Sequence, residues 1–205
     1  MPVSGEAPEG VRRLVYRQLL AGDYRKLAAQ SNDSKTGGGA RDLRLPFAWF
    51  DGVMGLLLPG ERPEVRHRKG KRVDLKVRTG PVFIDVEDTK TGAVTTHTAE
   101  MVWESPTDVR PAEGRIAKVH ASPAMAQLLK AHDEAMGSVF VLFIQGDNGE
   151  LRVHYAYEKE LRDGDWAEAV ATPILKHLDG DRRRDRAVAG YIDFLDNSWH
   201  PHGLR

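Results

Sequence analysis

The sequence predicts a mainly β, barrel-like domain with helices at its ends and between its strands. Three observations carry this. From residue 72 to residue 157, short runs rich in Val, Thr, Ile and Phe are separated by the turn sequences Thr79-Gly80, Lys90-Thr91-Gly92 and Asp147-Asn148-Gly149. The runs do not alternate regularly with helical segments, which argues against a doubly wound parallel sheet. Apolar spacing of helical type is confined to a few stretches. The expected content is about eight or nine short strands and two to four helices.

Taken in order, residues 1–9 read as a flexible N-terminal tail. Val11, Leu14, Val15 and Leu19 recur at helical spacing, with Arg12, Arg13 and Arg17 between them, so a helix is expected over 11–20, stopped near Gly22. Residues 24–29 read as a short strand, and 43–46 as the end of a second one. Residues 47–58 are apolar enough for a short helix or a buried turn. Residues 61–71 read as a charged loop carrying Arg62, Arg66, Arg68, Lys69 and Lys71. Strands are expected over 72–78, 82–88, 93–98, 100–103 and 115–120. Ser122-Pro123 opens a helix toward residue 134. Residues 139–145 and 151–157 form a hairpin around Asp147-Asn148-Gly149, the clearest turn signal in the chain. Residues 166–178 read as a helix carrying Pro173, and residues 188–195 as a short amphipathic segment. The implied layout is one domain over 10–195 with a C-terminal tail over 196–205.

At 205 residues the chain can build one sizeable core. No apolar run is long enough to cross a membrane as a helix, and the N-terminus lacks the order of a signal peptide. The absence of cysteine excludes disulfides, Cys–zinc sites and thiol nucleophiles, and fits a cytoplasmic protein. The formal net charge is +0, but it is unevenly placed. Residues 1–82 hold 16 Lys and Arg against 9 Asp and Glu, and residues 83–205 hold 14 against 21. Such a chain can turn one basic face toward a polyanion.

Four groups of residues are candidates for chemistry. The first is an arm over 26–46, with small hydrogen-bonding residues (Ser31, Asn32, Ser34, Thr36), cations (Lys35, Arg41, Arg44) and the glycines Gly37, Gly38 and Gly39. Glycines let backbone approach a partner closely, and the mixture suits contact with nucleic acid. It lacks the Gly-Lys-Ser/Thr ending of a phosphate-binding loop. The second is the polar stretch 103–118. There Arg110, Arg115 and Lys118 stand among Asp108 and Glu113, so it offers donors for guanine and acceptors for the cytosine amino group. Trp103 beside it is the aromatic residue expected to touch DNA. The third is Asp85 with Asp88-Thr89-Lys90, a spacing used by magnesium-dependent nucleases. The fourth, the eight histidines, shows no His-x-x-x-His spacing, and no metal or other cofactor is expected.

The two arms, in order, resemble the N-terminal effector domain of the restriction endonuclease EcoRII. The likeness rests on Asn32-Asp33-Ser34, Gly37-Gly38 and Leu43-Arg44-Leu45-Pro46 in the first arm, and on Glu113-Gly114-Arg115-Ile116 with Lys118 in the second. The resemblance implies a DNA-binding pseudobarrel, here seven- to nine-stranded, open and of α+β class. It also implies two arms that grip the major groove of a specific duplex sequence. The site residues it implies are Ser31, Asn32, Lys35, Thr36 and Arg41 of the first arm, and Glu113, Arg115 and Lys118 of the second, with Asp108 and Arg110 on its approach. Arg44, Lys69, Lys71 and Trp103 are added from their charge or position. The chain is therefore expected to be a free-standing recognition domain of a restriction-type, phage-defence system. Its expected partners are double-stranded DNA and a separate nuclease or methyltransferase, with no membrane. The alternative is a small magnesium-dependent DNA nuclease using Asp85, Asp88 and Lys90.

Overall fold

The structure is a computed structural model that describes residues 1–28, 43–45, 51–68, 70–88, 90–107, 113–116, 124–125, 134–181 and 187–202. It is mainly β with a few helices, an open α+β pseudobarrel. Its strands are β1 (Val11–Gln18), β2 (Leu43–Leu45), β3 (Glu61–Arg68), β4 (Lys71–Glu87), β5 (Val94–Glu104), β6 (Glu113–Ile116), β7 (Val139–Gly146), β8 (Leu151–Tyr157), β9 (Ala189–Asp193) and β10 (Ser198–Pro201). They form one mixed sheet in the order β10-β9-β1-β7-β8-β4-β5-β6-β2, with β3 paired to β4 off this path. Among the described residues the outermost strands β10 and β2 do not pair with each other, so the sheet stays open. The helices are α1 (Ala21–Ala28), α2 (Asp51–Leu57), α3 (Glu158–Asp163) and α4 (Glu168–Gly180). No described helix is long and apolar enough to cross a membrane.

The centre of the sheet is buried on both faces. Along β1, Leu14 and Tyr16 pack with Phe140, Leu142, Ala169, Val170 and Ile174, beneath α4. Val15 belongs to the main core with Val141, Phe143, Val153, Val82 and Ile84. The sequence expectation of a helix over 11–20 is therefore corrected. A strand covered on both sides buries consecutive residues, and Leu14, Val15 and Tyr16 are all fully buried. Such a run loses the alternation that marks a half-exposed strand. The expected strand over 24–29 is likewise part of a helix, α1. Gly22 lies in its first turn, and the Asp23 carboxylate accepts the Leu20 N–H at 3.0 Å and so closes the helix start.

The hairpin over 139–157 forms as expected. Its turn is closed by Gly149 N–H donating to the Gly146 carbonyl at 2.9 Å, with Gly149 at φ +83. Elsewhere the strands are longer than expected. Thr79-Gly80 is no turn: it lies inside the 17-residue β4. A Cβ on Gly80 would stand 2.6 Å from Leu58 Cδ2, so close packing, not reversal, occupies this glycine. The buried positions of β4 change parity around it. Leu75 and Val77 pack with Val102 in a small separate cluster, whereas Val82, Ile84 and Val86 enter the main core. The charged loop expected over 61–71 contains strand β3, paired to β4 from Glu61 opposite Arg78 to Arg68 opposite Lys71. β1, β3, β9 and β10 form where no strand is expected, while the strands expected over 72–78 and 82–88 join into β4 and those over 93–98 and 100–103 into β5, so the mainly β, open class holds with its strands redistributed.

Both expected tails are paired. β10 pairs with β9, Pro2 bridges to Ser198, and the Val3 N–H donates to the Asn197 carbonyl at 3.3 Å. Trp199 is buried in the cluster beneath α4.

Candidate nucleic-acid interface

The strands that end the two expected arms are neighbours. β2 pairs antiparallel with β6, with Leu43 opposite Ile116, Arg44 opposite Arg115 and Leu45 opposite Gly114. β6 pairs in turn with β5, with Arg115 opposite Val102 and Glu113 opposite Glu104. Leu43 is buried in the main core and anchors this edge. Because the strands are antiparallel, the first arm joins at Leu43, beside the end of β6. The polar stretch before Glu113 joins at the other end of the pair. The two attachment points are separated by the length of β2, about 10 Å at a strand rise near 3.3 Å.

The ground behind this edge is held by ion pairs. Glu104, 1 % exposed, accepts from Arg66 Nη1 at 2.5 Å, and Arg66 Nε also donates to Glu64. The Glu64 hydrogen bond first, with Glu104 adding to it, raises the Arg66 pKa. Arg78 donates to the carbonyls of Leu58 and Pro59 and to Glu61 Oε2, and its guanidinium lies 5.4 Å from the centre of the Trp103 ring. Trp103 stands opposite Gly114 of β6. This linkage supports the second arm's strand from inside the core.

Comparison with protein-family models, curated proteins and solved structures gave no match.

The predicted site residues divide into four sets. Ser31, Asn32, Lys35, Thr36, Arg41, Lys69, Asp108, Arg110 and Lys118 lie outside the described residues. Arg44, Glu113 and Arg115 are brought together by the β2–β6 pairing. Lys71 begins β4 and is exposed. Trp103 is corrected: at 5 % exposure it belongs to the main core, because odd positions of β5 near this edge, Met101 and Trp103, turn inward. Of the basic surface expected over 62–72, Arg66 is committed to Glu64 and Glu104, and Arg72 pairs with Asp74. Arg62 and Lys71 form no ion pair among the described residues.

The proposed nuclease triplet is used otherwise. Asp85 accepts from the Thr96 hydroxyl at 2.6 Å and pairs with Arg152, and these contacts hold its carboxyl below the usual carboxylate range. Asp88 Oδ1 accepts the backbone N–H groups of Lys90 at 2.8 Å and Thr91 at 3.1 Å, which closes the β4–β5 turn. Among the described residues no three acidic or histidine side chains converge as a metal site. Arg152 is also one wall of a shallow cleft with Ile144, Asp147, Asn148, Glu150 and His154. Sequence reasoning missed this cleft, since its residues sit in the hairpin that pattern assigns to structure. It also missed the Arg66–Glu104 pair, for which β3 gave no clean alternation.

Proposed function

We propose that this chain is a sequence-specific double-stranded DNA-binding protein that grips the major groove with two arms, in the manner implied by its resemblance to the EcoRII effector domain. The observation that carries the reading is the β2–β6 pairing, which sets Arg44 opposite Arg115 at the end of the sheet order, between the two arm attachments. In this reading Arg115 and Glu113 address base edges. Lys69, Lys71 and Arg62 add phosphate contacts that fix position without reading sequence. The chain supplies recognition in the cytoplasm, and cleavage or methylation of the bound site belongs to a separate nuclease or methyltransferase.

The test is selection of bound duplexes, methylated ones included, from a random pool, followed by equilibrium binding at several salt concentrations. A defined site should emerge, with affinity falling steeply as salt rises. Arg115→Ala should abolish preference at one base pair, at a cost of about 1–3 kcal/mol. Lys69→Ala should weaken all duplexes alike. Failure to retain any duplex at low salt would overturn the reading and favour a protein-binding role for the arms.

A further inference from the structure

We infer that the cleft beside the β7–β8 turn binds a nucleoside whose base carries a carbonyl next to a ring N–H, as guanine, hypoxanthine and uracil do. The site is separate from the β2–β6 edge: β4 and β5 lie between β8 and β6 in the sheet. The inference therefore does not depend on the DNA-binding reading. The cleft encloses about 530 Å³, within the range of sites that hold small organic molecules. Leu151, Val153 and Tyr155 of β8 enter the main core. Arg152 and His154, which alternate with them on the pleat, stand on the outer face. There they line the cleft with Glu150, above apolar surface from Val11 and Ile144.

Arg152 is oriented before any ligand arrives. Its Nη1 donates to Asp85 Oδ2 at 2.5 Å and its Nη2 to Glu150 Oε2 at 3.3 Å, and the guanidinium lies 6.0 Å from the centre of the Phe83 ring. Such preorganisation lowers the cost of binding. A guanidinium has five N–H donors, and Asp85 and Glu150 take one each. The others are uncommitted among the described residues. Glu150 is fixed through its backbone, which donates to Asn148 Oδ1 at 3.0 Å and accepts from the Gly146 N–H at 3.0 Å. Its Oε1 takes no hydrogen bond among the described residues. A donor fork and an acceptor thus stand side by side. Their complement is an acceptor beside a donor on one rigid edge, which is a ring carbonyl next to a ring N–H. Adenine has no carbonyl, and in cytidine the ring nitrogen next to the carbonyl carries no proton. His154 adds a contact of either kind, because burial keeps its ring neutral at pH 7, with one donor and one acceptor nitrogen. Charge selects further. The carboxylates of Asp85, Asp147 and Glu150 outnumber the guanidinium groups of Arg12 and Arg152 with which they pair. A neutral nucleoside is therefore favoured over its phosphate.

Calorimetric titration of the full chain with nucleosides tests this. Inosine is the sharpest probe, because it differs from adenosine only by the carbonyl and ring N–H that replace an amino group and a bare ring nitrogen. Inosine should bind, and adenosine and cytidine should bind about 10- to 100-fold more weakly. 1-Methylinosine keeps the carbonyl but loses the N–H, and should be weakened as adenosine is. Inosine 5′-monophosphate should bind several-fold more weakly than inosine. These comparisons need no protein variant, so a folding defect cannot obscure them. Glu150→Ala leaves the backbone contacts of the turn in place and should abolish the preference for inosine over 1-methylinosine. Equal binding of inosine and adenosine would overturn the inference, as would indifference to the added methyl group or tighter binding of the monophosphate. So would a Glu150→Ala variant that keeps the preference, or no binding of inosine at millimolar concentration.

Discussion

Tyr16 is fully buried, and its hydroxyl joins three distant parts of the chain. Trp199 Nε1 donates to it at 2.9 Å, and it lies 2.8 Å from His177 Nδ1. An indole N–H can only donate. The Tyr16 oxygen therefore accepts from Trp199, and its own proton goes to Nδ1, the arrangement that leaves no buried O–H without an acceptor. Burial, partly offset by the Trp199 hydrogen bond, raises the Tyr16 pKa well above the usual phenol range and keeps the group neutral. Gly190 closes over it: a Cβ there would stand 2.2 Å from the hydroxyl oxygen and 2.4 Å from the ring carbon that bears it. Gly80 also lacks room, but its neighbour is the far end of the Leu58 side chain, which can turn aside. Gly190→Ala should therefore cost about 3 kcal/mol or more, at or above the upper end for overpacking, and Gly80→Ala less than about 1 kcal/mol. Urea denaturation midpoints of the two variants check this, and equal losses would show that Tyr16 can shift.

At the scale of elements, legibility in the sequence followed how each strand is covered. The β7–β8 hairpin was readable because Asp147-Asn148-Gly149 specifies its reversal locally. β1 was not, because both of its faces are buried and the period-2 signal vanished. β3 was hidden by its charges, several of which are satisfied across strands by Glu104 and by one another. At the candidate interface the sequence supplied Arg44, Glu113 and Arg115 but not their adjacency, since no local pattern states that residue 44 pairs with residue 115. Trp103 was misplaced because an aromatic beside a polar loop looks the same in sequence whether it turns inward or outward. β10 looks like a tail in the sequence because its anchoring partners, Tyr16 and Met1–Val3, are nearly the whole chain away. Trp199→Ala should accordingly cost about 3–5 kcal/mol, as expected for an aromatic removed from a core. A tail residue would change stability by less than about 0.5 kcal/mol. Chemical denaturation separates the two outcomes, and a near-neutral variant would mean that β10 adds little to the fold.

Over the whole molecule, the division between a basic first part and an acidic second part is narrowed by pairing between them. Arg12 meets Asp147, Arg13 meets Asp193, and Arg66 meets Glu104. The layer of α3 and α4 is tied to the sheet near its open cleft by His154, whose ring meets Trp166 edge-on at 6.4 Å. Burial holds the His154 pKa below the usual imidazole value, against an opposing pull from Asp85. The consequence for stability has a definite sign. Below about pH 6.5 the unfolded chain protonates this histidine while the folded chain resists, so more protons are bound in the unfolded state and stability rises with pH. The contribution is complete above the unfolded value, declines as pH falls below it, and is lost once pH has passed the lower folded value. His154→Phe should flatten this part of the stability profile as pH falls below about 6.5. Asp85→Asn, by removing the charge that favours imidazolium, should carry the decline to lower pH. Denaturation midpoints of the three proteins across that range decide the matter. If the profile of His154→Phe parallels that of the wild type, the pH dependence comes from other groups and the cleft histidine titrates as it would in water.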